Sequence, residues 1–103
     1  MKKTLVIVLL FMVTVLYAET SRQEFLEEVA QVQERLFTLI GQFGNGDRDA
    51  ETEMNRAMSD YSHLLARGVE DGHITQVMMD YQMSIMTAMR TYAYAHYDRV
   101  YGE

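Results

Sequence analysis

The stretch 73–101, HITQVMMDYQMSIMTAMRTYAYAHYDRVY, constrains the fold more than any other part of the chain. On a 3.6-residue period Asp80, Ser84, Thr87, Thr91 and Asp98 fall on one line, and most of the remaining circumference is apolar. A helix of this kind needs neighbours on more than one side. One side carries Met78, Tyr81, Ile85, Met89 and Tyr92, and the regular spacing with a branched residue marks it as the expected core stripe. The other side carries Met79, Met83, Met86, Arg90, Tyr94, Tyr97 and Tyr101. Methionine, tyrosine and arginine are enriched where proteins bind one another, so these seven are the expected partner-binding residues. The competing reading makes this second side core as well, with Arg90 paired to a carboxylate of the first helix.

Upstream, Phe25, Val29, Val32, Leu36, Leu39 and Phe43 recur with spacing 4-3-4-3-4, and Leu26, Phe37 and Ile40 widen the stripe to a bundle-type face. Ser21 and Glu24 form a capping-box pattern at the start of this helix. The run GQFGNGDRD breaks it, with Asn45-Gly46 as a turn dipeptide. Asn45, Asp47, Asp49 and Glu51 alternate as early calcium ligands do. An EF-hand loop starting at Asn45 would need Gly at Ala50 and Glu at Arg56, so the expectation is a solvated turn whose aspartates cap the next helix. That helix places Met54, Met58, Tyr61 and Leu65 inward, flanked by Ala57 and Leu64, with Arg56, Asp60, His63 and Arg67 outside. Gly68 or Gly72 closes it. Thr75 is the expected N-cap of the last helix, with Ile74 stapled onto Met79.

The expected fold is therefore all-α: an N-terminal signal or anchor segment, then a small antiparallel three-helix bundle with helices at about 21–43, 50–67 and 75–101. The division falls at 1–18 and 19–103. Lys2 and Lys3, the apolar run from Leu5 to Leu16, and Ala18 before Glu19 make a leader too short for an ordinary membrane-spanning helix. Leu16 stands where a small residue usually precedes the cut, so an uncleaved anchor is the second reading. With no cysteine in the chain, a bacterial lipoprotein is excluded.

Both lysines lie in the leader; without it the nine basic residues fall to seven arginines against 15 acids, a net charge of −8. Such an acidic domain is a poor partner for nucleic acid or anionic lipid. No disulfide supports so small a core, so helix packing or a partner subunit must.

Chemistry-bearing patterns are sparse. Asp60-x-x-His63 lies on an outward face and Glu70-x-x-His73 in a loop, so neither builds a bundle metal site. Met79, Met83, Met86 and Met89 could offer thioethers to Cu(I) or Ag(I), a lesser reading because methionine at helical spacing is ordinary packing. Ser59, Ser62 and Ser84 lack a nucleophile elbow. No catalytic residue, metal ligand or cofactor site is expected, and an enzyme is not the reading.

The functional expectation is an exported, periplasmic helical module that binds a partner protein or a second copy of itself through the last helix. The alternative is a membrane-tethered regulator anchored in the inner membrane, touching the membrane only through an uncut leader. In layout it resembles phage antiholins, a short N-terminal anchor followed by a small helical periplasmic domain. That resemblance, carried by arrangement and by no residue motif, implies lysis inhibition.

Overall fold

The computed structural model describes the backbone of residues 2–102 and the side chains of residues 21–102. The signal or anchor reading rests on 1–18, outside the residues whose side chains are described. Three helices follow in order: α1 (Lys2–Gly44), α2 (Ala50–Glu70) and α3 (Gln76–Tyr101). Among the described residues there is no strand, and no helix is long and apolar enough to cross a membrane.

Cross-helix bonds fix the topology. Gln33 Nε2 donates to Tyr61 Oη at 2.8 Å, Arg35 pairs with Glu53 at 2.8 Å and Arg67 with Glu28 at 3.5 Å, so α2 runs antiparallel to α1. Asn55 Nδ2 donates to Tyr94 Oη at 3.0 Å, and α3 runs back along α2. α1 and α3 are consequently parallel, with His73 beside Phe25 at one end and His96 bonded to the Gly44 carbonyl at the other. The chain is an all-α three-helix bundle, as its periodicities indicate.

Phe25, Val29, Leu36, Ile40 and Phe43 enter the core from α1. Val32 and Leu39 complete the 4-3-4-3-4 seam half-buried. Met54, Ala57, Met58, Tyr61, Leu64 and Leu65 enter from α2, while Arg56, Asp60, His63 and Arg67 are exposed, as the single apolar stripe of that helix requires.

Both interhelical turns have the same chemistry. After α1, Gly46 adopts φ +108° while its N–H bonds the Phe43 carbonyl and that of Asp47 bonds the Gln42 carbonyl. After α2, Gly72 adopts φ +78° while its N–H bonds Val69 O and that of His73 bonds Gly68 O. These paired bonds satisfy carbonyls that a helix end leaves free, and the left-handed residue that makes them possible is glycine in each case. Gly46 has a second reason: a Cβ there would lie 2.8 Å from the Tyr101 ring.

Four expectations about the helices need correction. With the leader attached Ser21 and Glu24 lie inside α1 and not at its start, and Ser21 Oγ lies 3.4 Å from His73 Nε2 and not at the Glu24 N–H. Leu26 and Phe37 do not widen the core face but are 42% and 45% exposed. Asp49 makes no side-chain cap on α2; Asp47 Oδ1 accepts the Asp49 N–H at 3.1 Å. Gly68 does not close α2: it is buried inside the last turn, where the Phe25 ring lies across it. Thr75, in contrast, caps α3 by accepting the Met78 N–H at 3.2 Å, and Ile74 and Met79 both pack half-buried against the core.

Candidate functional site

The two apolar sides of α3 are placed the opposite way round from the sequence expectation. Met86 is 1% exposed, and Met79, Met83, Tyr94 and Tyr97 pack half-buried against the core. Phe43 explains the choice. Its ring stacks on Tyr97 at a centroid distance of 4.7 Å and meets Tyr94 edge-on at 4.8 Å, so α3 closes the bundle end around it. Ala93, 3% exposed, faces Gly44, where an added Cβ would lie 3.5 Å from the alanine methyl. Small residues on both helices allow this close approach.

Two polar tips of the inward side bond α2 at the rim. Tyr94 Oη accepts from Asn55, and Arg90 Nη1 donates to Asn55 Oδ1 at 3.3 Å, a partner on α2 rather than a carboxylate of α1. Tyr101, 48% exposed, leans over Gly46. The seven residues expected to bind a partner are thus brought together as one wall of the bundle. Only Tyr101 among them is exposed.

The side expected to be core is the one turned outward. Met78, Tyr81 and Tyr92 are 46%, 65% and 69% exposed, Ile85 37%, and Met89 is half-buried. Parallel to this ridge, Leu26 and Phe37 form a second apolar ridge on α1. Two hollows lie between the helices. The larger, about 470 Å³, is floored by Gly41, Gly44 and Ala88 and walled by Ile40, Met89 and Tyr92. The smaller, about 230 Å³, lies among Leu26, Ala30, Gln33, Met78 and Gln82. Neither is lined by a carboxylate, lysine or arginine. The misleading cue in the sequence was the branched Ile85. The informative one was the small Ala93, in heptad phase with Met79, Met83, Met86 and Tyr97.

Beneath this face the three helices share one polar lock. Gln33 Nε2 bonds both Tyr61 Oη and Gln82 Oε1, at 2.8 and 3.3 Å. Tyr61 is fully buried, and that burial pushes its phenol above the ordinary value of 10.0, against a smaller lowering by the Gln33 bond.

The three histidines lie apart from one another. His63 bonds the Ser59 carbonyl, His73 stacks on Phe25 and His96 bonds Gly44, three separate places on the bundle. Among the described residues, no three His, Asp or Glu side chains gather as metal ligands. Of the four methionines of the soft-metal reading, Met86 is buried and Met79, Met83 and Met89 are half-buried, and Met79 Sδ accepts the Gln76 amide at 3.8 Å.

Comparison with protein-family models, with curated proteins and with solved structures finds no match to this chain. The fold and the face define it on their own terms, as a three-helix bundle with one apolar face left uncovered.

Proposed function

We propose that this protein is a small exported helical module, working in the periplasm, that acts by binding a protein through the paired ridges of α1 and α3. The observation that carries this reading is the exposure of Tyr81 and Tyr92 beside Met78, Ile85, Leu26 and Phe37. Monomeric proteins rarely leave large apolar side chains contiguous on one face, and such faces mark interaction sites. Tyrosine and methionine suit the task, the first by its area and polar tip, the second by its adaptable shape.

The test is a photoreactive residue at Tyr81, incorporated in cells that make the protein, with the same residue at the exposed Asp60 of α2 as control. Protein adducts at Tyr81 and not at Asp60 are expected. No adduct at Tyr81, or equal adducts at both positions, would overturn the reading.

A second reading is supported by the sequence at the expected cut between Ala18 and Glu19, where Leu16 stands in place of the usual small residue. In it the leader stays uncut, and the bundle regulates a membrane protein from a tether, in the manner of lysis inhibition. Intact-mass measurement on the exported protein separates the two: an N-terminus at Glu19 sinks the tether, and one at Met1 sinks the cleaved form.

A further inference from the structure

We infer that the occupant of this face is a second copy of the same chain, packed antiparallel across a two-fold axis that passes beside Phe37 and Ile85. The inference rests on the reading that the face binds protein, and it deepens that reading by naming the partner.

Area is the first support. An aromatic side chain carries about 150–250 Å² of surface, so Tyr81 and Tyr92, at 65% and 69% exposure, alone present on the order of 300 Å². The four other ridge side chains bring the face to roughly 600 Å², the lower end of what each partner of a specific interface buries.

Shape along the helices is the second. Because α1 and α3 are parallel, positions on one helix have fixed levels on the other: Gln33 lies level with Gln82 and Gly44 with Ala93. Leu26 and Met78, which line the smaller hollow, and Tyr81 make one end of the face the bulkier. At the other, beside Tyr92, Gly41, Gly44 and Ala88 floor the larger hollow, and a Cβ at Gly41 would meet open space. An antiparallel copy lays each bulky end over the other's hollow. The midpoint of that arrangement falls at Phe37 and Ile85, which share a level.

Charge is the third. A two-fold axis sets each group near its own copy, so a charged residue there meets a like charge. This chain carries a net charge of −6, yet both hollows are lined only by uncharged residues and one histidine. A face selected for a charged partner would carry the complementary sign.

The chain has no cysteine, so single introduced cysteines report the geometry in the full-length protein under mild oxidation. At 1.5 Å rise per residue, Phe37 comes within about 6 Å of its own copy along the helix direction, and Met78 stays about 21 Å from its own. Phe37→Cys and Ile85→Cys are expected to give disulfide-linked dimers; Met78→Cys alone is not, and Ala30→Cys combined with Gly41→Cys, which the axis lays one over the other on α1, is. Adding Tyr81→Asp to Phe37→Cys should reduce the linked fraction at least tenfold, which separates this contact from association through the leader. Linkage of Met78→Cys as complete as that of Phe37→Cys would overturn the antiparallel arrangement, and so would no linkage at Phe37 or Ile85. If those disulfides fail while the Tyr81 photoreactive probe captures a different protein, the second copy is wrong and protein binding stands. Failure of both removes both.

Discussion

α3 is longer and more apolar than α2, yet it gives the core less. α2 buries eight of its 21 residues; α3 buries two of its 26, Met86 and Ala93. α2 has one apolar stripe, and only one rotation about its axis hides it. α3 has two stripes in heptad phase, so rotation alone does not decide which is hidden. The decision is made by fit against α1, through Ala93 at Gly44 and the tyrosine pair around Phe43. A helix that belongs wholly to the core is legible by itself. One shared between core and surface is legible only with its neighbours.

The largest expected effects test that contrast directly. Leu65→Ala in α2 and Met86→Ala in α3 remove side chains that are 2% and 1% exposed, and each should cost about 2–5 kcal/mol in chemical denaturation. Tyr92→Ala, at a position 69% exposed, should cost under about 0.5 kcal/mol in the monomer. If Tyr92→Ala destabilises the bundle as much as Met86→Ala does, α3 is rotated and the face assignment is wrong.

The next effect lies inside α2. Gly68→Ala would ordinarily strengthen a helix by about 1 kcal/mol. Here the new methyl overlaps the Phe25 ring, which is itself 7% exposed and held between His73 and the helix. Overpacking of this kind costs about 1–3 kcal/mol, so a net destabilisation is expected. In a Phe25→Ala background the same change should turn neutral or stabilising, a reversal of sign that a thermal melt of the four variants would reveal.

How much of this could be read from the residues follows the same line. The inward stripe of α2, the seam of α1, the turn glycines Gly46 and Gly72 and the Thr75 cap are each fixed by local chemistry within a few positions. Gly68 could not be read, because its role depends on a ring 43 positions away at Phe25. Leu26 and Phe37 could not either: whether a flanking residue is covered depends on the angle at which α3 arrives. The surplus apolar side of α3 was therefore legible as a property, while which of its two sides turns inward was not.

Helix starts give a smaller comparison. Thr75 caps α3 through its side chain and Asp49 does not cap α2. Thr75→Ala should cost about 1 kcal/mol, and Asp49→Ala only a few tenths. Equal losses would mean that α2 draws on a cap at Asp49 in solution, and the asymmetry between the two helix starts would disappear.

The smallest effect is confined to alkaline pH and belongs to the one buried phenol that ties α2 to both neighbours. Burial holds Tyr61 above its unfolded value of 10.0. The folded state therefore binds the phenolic proton more tightly than the unfolded chain does. Below pH 10.0 Tyr61 is protonated in both states and its contribution is fully present. As the pH climbs past 10.0 the unfolded chain loses the proton first, and that contribution drains away as the folded value is crossed. Tyr61→Phe keeps the ring and leaves Gln33 and Gln82, 3.3 Å apart, bonded to each other. Other tyrosines titrate in both proteins, so the useful quantity is the wild-type stability minus that of Tyr61→Phe. That difference should be flat through neutral pH and fall only above 10.0. A difference that stays flat through the alkaline range would place the Tyr61 hydroxyl in water, and α2 would then be covered no better at its centre than α3.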